Sequence, residues 1–83
     1  MRIPRSLTGR DLIKLLAPYG YKVTRQTGSH IRLTTQTNGE HHITIPDHKP
    51  LRIGTLSSIL SAVAAHFKIS KDEVTKQIFE KND

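Results

Sequence analysis

A glycine turn followed by strict alternation of apolar and polar residues marks a β-strand near the middle of the chain. The segment reads Thr27-Gly28-Ser29-His30-Ile31-Arg32-Leu33-Thr34. Period-two alternation is typical of a strand that buries one face. If Ile31 and Leu33 face the core, His30 and Arg32 share the opposite, wetter face with Thr34. An imidazole beside a guanidinium suits chemistry on a phosphate better than it suits packing.

The residues before this strand predict a helix. Thr8 and Asp11 have the spacing of a capping box, and Pro18 and Gly20 are typical of the point where a helix ends. Between these signals, apolar residues recur at helical spacing: Leu12, Ile13, Leu15 and Leu16.

Three strands are predicted, at residues 21–26, 30–35 and 41–45. Tyr21 and Val23 should face inward from the first strand. Asn38-Gly39 suits the positive φ angles of a hairpin loop. In the third strand Ile43 and Ile45 are expected inward, which places His42 and Thr44 outward on the side of His30. The short connections predict an antiparallel meander.

Two helices are predicted after the strands. Leu56, Ile59, Leu60, Val63 and Phe67 have the spacing of an amphipathic helix that starts near Gly54 or Thr55. Gly54-Thr55 fits either a phosphate-binding helix start or an ordinary cap. Ser70 with Glu73 predicts a second capping box, which opens a shorter helix over residues 70–80 that carries Val74, Ile78 and Phe79. The expected fold is α+β, with helices on one face of a three-stranded sheet and a basic open face.

Length and charge predict a single small domain with an anionic partner. The 83 residues carry a net charge of +6 and a pI near 10.1, which favours nucleic acid or an acidic protein. Residues 1–7 form a basic arm that is expected to be mobile at its start. The sequence has no cysteine, no signal segment and no apolar run long enough to span a membrane. These features predict a cytoplasmic protein without membrane contact.

Five segments in this order resemble the HicA family of toxins from bacterial toxin–antitoxin pairs. They are Asp11-Leu12-Ile13-Lys14-Leu15-Leu16, Gly20-Tyr21, Gly28-Ser29-His30, Ile43-Thr44-Ile45-Pro46 and Leu51-Arg52-Ile53-Gly54-Thr55-Leu56-Ser57-Ser58-Ile59-Leu60. The resemblance covers roughly residues 9 to 63 and implies an α-β-β-β-α double-stranded-RNA-binding-like fold. The predicted helix over residues 70–80 and the arm before Thr8 are additions to the shortest members of that family.

The resemblance also implies an activity and a partner. It implies an endoribonuclease that acts on mRNA and depends on His30, and a HicB-like antitoxin that blocks it. Whether the protein forms a homodimer or a hetero-oligomer with the antitoxin is left open.

The residues themselves fit this chemistry. RNA carries its own 2′-hydroxyl nucleophile, so the protein has only to move protons and stabilise negative charge. Histidine is the natural proton carrier near neutral pH. Arg32 and, second, Lys22 are predicted to bind the phosphate. Ser29 could donate a hydrogen bond to a phosphate oxygen, and Gly28 would let the backbone approach the RNA closely. No metal or other cofactor is expected.

Alternatives exist for several of these residues. His42 could be a second proton carrier or RNA contact if it lies across from His30, or a solvated strand residue. A metal cluster of His41, His42, His48 and Asp47 is disfavoured, because neighbouring strand residues point to opposite faces. The whole chain could instead be a non-catalytic RNA-binding module, or the basic subunit of a repressor complex.

Overall fold

The first helix begins where the sequence predicts, because Thr8 and Asp11 form the predicted capping box at its N-terminus. In the computed structural model, which describes residues 4–80, the Asp11 N–H donates to Thr8 Oγ1 at 3.0 Å and the Thr8 N–H donates to Asp11 Oδ2 at 3.1 Å. These bonds from Thr8 lower the pKa of the Asp11 carboxyl. Helix α1 spans Gly9–Leu16. A 3-10 turn over Ala17–Tyr19 follows, and Gly20 leaves it with a φ of +88°.

The basic arm ends inside the core. Leu7 is buried, and its carbonyl accepts a hydrogen bond from the Leu51 N–H at 2.8 Å. The mobility predicted for the start of the arm concerns residues 1–3, which lie outside the described residues. The described part of the arm is therefore tied to the segment that precedes the second long helix.

Three antiparallel strands form one sheet in the order β1-β2-β3. Strand β1 spans Lys22–Thr27, β2 spans His30–Thr35 and β3 spans His41–Pro46. Asn38 and Gly39, in the second hairpin loop, take φ angles of 61° and 97°. Both hairpins and the antiparallel meander are as predicted.

One face of the sheet is buried against helices. Ile31, Leu33, Ile43 and Ile45 all point into a core shared with apolar residues of α1 and of α2, which spans Ile53–Phe67. Helix α2 starts one residue before the predicted range. Its N-cap, Arg52, makes no side-chain capping bond. Neither Gly54 nor Thr55 is therefore the cap of this helix.

The last helix, α3, spans Lys71–Phe79 and packs on α2 through Val74 and Ile78. Only half of its predicted capping box forms. Ser70 Oγ accepts from the Glu73 N–H at 3.0 Å, while the Glu73 carboxylate accepts from Gln77 Nε2 at 2.9 Å instead of returning to Ser70.

Val23 lies on the core side of the sheet, opposite Leu33, but the burial expected for it is wrong. Tyr21 is buried as expected, but it precedes β1, and Val23 is 50% exposed. Strand β1 is an edge strand, and α1 and α2 pack over β3 at the other edge. The sheet register also shifts between Val23 and Arg25, so β1 contains a bulge there.

The overall architecture is the predicted α+β fold, consistent with the double-stranded-RNA-binding-like arrangement. Within residues 4–80, no single helix has both the length and the apolar composition needed to cross a membrane. Helices α2 and α3 meet that test only together, as a pair bent by 108°.

Candidate functional site

The uncovered face of the sheet, here called the open face, carries three rows of side chains. Residues that are directly opposite in an antiparallel pair point to the same side, so the register assigns each row. The rows are Thr27, His30 and Pro46; then Arg25, Arg32 and Thr44; then Lys22, Thr34 and His42. No residue in these rows is acidic. The predicted basic open face is present.

His30 is the first residue of β2 and is exposed to solvent. The two-residue turn before it has Gly28 at a φ of +58°, as the first central position of a type II′ hairpin turn requires. The Ser29 carbonyl accepts from the Asp47 N–H at 2.6 Å, which extends the pairing of β2 with β3 beyond His30. Within residues 4–80, the imidazole makes no side-chain hydrogen bond, so both ring nitrogens are open to a ligand.

Gly28 also leaves space beside the histidine. A Cβ at this position would meet no atom within 4 Å. The glycine is therefore needed for its backbone conformation and not to relieve crowding. Ser29 is exposed, and its hydroxyl lies one residue from His30 at the end of the sheet.

Arg25 belongs to this site, although strand parity predicts otherwise. Simple alternation from Tyr21 would turn Arg25 to the core side, together with Val23. The bulge after Val23 adds one residue to β1, and Arg25 becomes the direct partner of Arg32. Thr24 occupies the bulge, where its Oγ1 donates to the Arg32 carbonyl at 3.4 Å and lies 2.9 Å from Thr34 Oγ1. No sequence signal marks this bulge.

The cations of the open face lack carboxylate partners among residues 4–80. The ion pairs found in that part of the chain join Arg10 to Asp47 at 3.2 Å and His42 to Glu40 at 2.8 Å. Arg25, Arg32 and Lys22 take part in neither of them. The middle of the open face is consequently a positive surface without an internal counterion.

The alternative in which His42 lies across from His30 does not hold. His42 pairs with Thr34, whereas the partner of His30 in β3 is Pro46. Four residues along β2 separate the two rows, or about 13 Å at the usual rise of a strand. The two imidazoles are therefore too far apart to act on one phosphate.

His42 instead belongs to a polar chain at the far end of the open face. Its Nδ1 lies 2.8 Å from Thr34 Oγ1, and its Nε2 lies 2.8 Å from Glu40 Oε2. Thr34 Oγ1 continues the chain to Thr24. A shallow depression of about 400 Å³ opens beside it, lined by Gly20, Lys22, Thr24, Thr34, Gln36 and Thr37. Lys22 is the only charged residue in this lining.

His41 points away from the open face, as strand alternation predicts. Its Nδ1 lies 2.7 Å from the Tyr21 hydroxyl, and its ring stacks on that of His66. Burial, followed by the nearby His66 and His42, lowers the pKa of His41. Within residues 4–80, no group of three or more His, Cys, Asp or Glu side chains is arranged to hold a metal ion.

The predicted site residues therefore fall into two groups. The first group occupies one end and the middle of the open face. It contains Gly28, Ser29, His30 and Arg32, together with Arg25, which was not predicted. Lys22 and His42 lie at the other end. The first group combines a group able to carry a proton with side chains able to hold a phosphate, which is the requirement for acid–base chemistry on a phosphodiester.

Comparison with known families gives one result that agrees with this arrangement. The family model described as the HicA toxin of bacterial toxin–antitoxin matches residues 9–64. The matched region begins at α1, includes all three strands and ends within α2. Comparison with curated proteins and with solved structures finds no significant match. Because the family model covers more than half of the chain and its full sheet, this protein belongs to the HicA family of toxins from bacterial toxin–antitoxin systems.

Proposed function

We propose that this HicA-family toxin is an endoribonuclease that cleaves mRNA and thereby inhibits translation and growth, with His30 as its general acid/base. The observation that carries the proposal is the position of His30. It is an exposed imidazole on an open face that holds Arg32 and Arg25 in the next row and has no acidic residue in any row. In the His30 row and the central row, a negatively charged substrate meets only attractive or neutral side chains.

In the proposed reaction, the 2′-hydroxyl of the RNA attacks the adjacent phosphorus atom. His30 carries the proton of the 2′-hydroxyl to the 5′-oxygen of the next nucleotide as the bond from phosphorus to that oxygen breaks. The products are a 2′,3′-cyclic phosphate and a 5′-hydroxyl. Arg32 stabilises the charge that develops on the phosphate oxygens. Ser29 donates a hydrogen bond at the same end, while Lys22 and His42 contact the RNA further along the strand. Because the nucleophile belongs to the substrate, no metal-activated water is needed.

The proposed partner is an acidic, HicB-like antitoxin. The net charge of +6 and the uncompensated open face favour an acidic protein surface. Inhibition follows if the antitoxin covers His30 or blocks the path of the RNA across the open face. Action on mRNA would place the protein in the cytoplasm.

The test is an RNA cleavage assay in EDTA with three purified proteins: the parent, His30→Ala and His48→Ala. His48 is an exposed histidine outside the three rows, so its variant controls for the loss of an imidazole. The parent and His48→Ala are expected to cleave, and His30→Ala is expected to lose about 10²–10⁴-fold in rate while still binding RNA. Equal cleavage by His30→Ala and the parent would contradict the proposal. Binding without cleavage by all three would instead favour a non-catalytic RNA-binding module.

A further inference from the structure

We propose that Arg25 and Arg32 together form a clamp for one RNA phosphate in the row next to His30. The proposal rests on the ribonuclease function proposed above and adds a residue, Arg25, and a role for the β1 bulge. It starts from the pairing of two like charges, directly opposite each other on neighbouring strands.

Such a pair is unfavourable in an isolated protein. Directly opposite residues in an antiparallel pair have Cβ atoms about 4.5–5.5 Å apart, and like charges in that position destabilise the sheet. Among residues 4–80, neither arginine has a carboxylate partner, and no acidic residue belongs to any of the three rows. An anion placed between the two guanidinium groups would remove the repulsion and bind both.

The bulge creates this arrangement. Without the extra residue in β1, Arg25 would point to the other side of the sheet, and Arg32 would have no cation opposite it. Thr24 stabilises the bulged geometry through its bonds to the Arg32 carbonyl and to Thr34 Oγ1. Bulges often redirect a side chain beside a functional site. Here the redirected side chain doubles the positive charge of the central row.

The position of the pair identifies the ligand as part of the substrate chain. The central row lies between the His30 row and the Lys22 row, each about 6.7 Å away at the usual strand rise. A single strand crossing the open face therefore meets His30, the two arginines and Lys22 in that order. Arginine is suited to this task because its planar fork binds a phosphate through two parallel hydrogen bonds.

The first test measures RNA binding as a function of salt concentration. A single-stranded RNA oligonucleotide is titrated into Arg25→Gln, Arg32→Gln and the double variant, all in the His30→Ala background so that no RNA is cleaved. Because the clamp binds one phosphate, its loss in the double variant should reduce the slope of log affinity against log salt by about 0.7. Lys76→Gln removes the same charge from the exposed side of α3 and is expected to leave the slope unchanged. An unchanged slope in the double variant would overturn the clamp.

The second test separates binding from folding. Because the opposed charges destabilise the sheet, Arg25→Gln and Arg32→Gln should each melt at or above the temperature of the parent, even though they bind RNA less well. Inorganic pyrophosphate should raise the melting temperature of the parent and not of the double variant. Arg25→Lys, which keeps the charge but loses the fork, should retain the salt slope and lose part of the affinity. Lower melting temperatures with an unchanged slope would show a structural role and contradict the proposal.

The clamp and the ribonuclease function fail in different ways. If the parent does not cleave RNA but the salt slopes change as expected, the enzyme proposal fails and the clamp stands. If the parent cleaves RNA and the double variant matches it in both kcat and KM, the clamp fails and the enzyme proposal stands.

Discussion

The imidazole rings of His41 and His66 lie stacked, with centroids 4.4 Å apart and planes 8° from parallel. His66 Nε2 lies 2.9 Å from the Thr37 carbonyl oxygen, which only accepts, so this nitrogen carries a proton. The stack joins β3 to the end of α2 and lies against the Tyr21 hydroxyl and the Phe67 ring. Burial raises the pKa of Tyr21 to about 12, so its hydroxyl stays neutral.

This stack predicts that the protein loses stability in mild acid. The pKa of His41 is lowered from its ordinary value of 6.5 by burial and by the charges of His66 and His42. The unfolded chain therefore binds a proton before the folded protein does. The contribution of neutral His41 to the free energy of unfolding is fully present above pH 6.5. It is lost as the pH falls through the lowered pKa of the folded protein. Denaturant unfolding between pH 5 and 8 measures the effect.

The control for this prediction replaces His41 itself. His41→Gln should flatten the pH dependence in that range, whereas His48→Gln, at an exposed position in the connection after β3, should preserve it. A parent protein equally stable at pH 5.5 and 7.5 would contradict the role assigned to the stack.

Two glycine-to-alanine substitutions should have opposite effects on stability. A Cβ on Gly9 would overlap the carbonyl oxygen of Pro46, while the Gly9 N–H donates to the His48 carbonyl at 3.0 Å. Gly9→Ala should therefore reduce the free energy of unfolding by about 1–3 kcal/mol. Gly54 lies in α2 with open space around it, so Gly54→Ala should raise that free energy by about 0.4–1 kcal/mol. Urea denaturation measures the free energy of unfolding of each variant. Equal changes in the two variants would show that Gly9 of α1 does not lie against the Pro46 carbonyl of β3.

Replacing Asn38 by glycine should lower the free energy of unfolding less than replacing it by alanine. Its φ of 61° lies in the left-handed region, and its Nδ2 donates to the His66 carbonyl at 2.9 Å. Both variants lose that hydrogen bond, which contributes about 1 kcal/mol. Only the alanine variant also meets backbone strain, about 1–2 kcal/mol. The expected order of thermal stability is parent, Asn38→Gly, Asn38→Ala, and a glycine variant less stable than the alanine variant would contradict it.

The proposed cleavage reaction predicts specific products and metal independence. The RNA fragments should carry a 2′,3′-cyclic phosphate and a 5′-hydroxyl, because the attacking oxygen comes from the ribose. A substrate with 2′-deoxyribose at the cleaved position should resist cleavage while binding normally. Mass spectrometry of the products identifies the ends. A strict requirement for magnesium, or cleavage of the deoxy substrate, would contradict the mechanism.

Most of the fold was predictable because its elements carry strong local signals. Alternation at Ile31 and Leu33 assigns the faces of β2 without reference to the rest of the chain, and the Thr8–Asp11 capping box places the start of α1. The outward position of His30 was predictable for the same reason, since the face of a strand residue follows from its neighbours. The α2 start was less predictable because Arg52 caps it without a side-chain bond.

The relations between strands were not predictable from local pattern. The positions of His42 and His30 depend on the register of β3 against β2, which alternation leaves undetermined. The face of Arg25 depends on a bulge that forms through contacts between Thr24 and β2. The exposure of Val23 depends on which edge of the sheet the helices cover. Each of these is a property of two elements together.

The bulge in β1 also affects how the protein behaves beside other copies of itself. An edge strand displays unpaired main-chain groups, and a regular, apolar edge invites pairing with another chain. In β1 the exposed Val23 adjoins a bulge that bends the strand, and the side chains beyond it are Arg25 and Gln26. The irregularity that completes the open face therefore also makes this edge a poorer template for pairing with another strand.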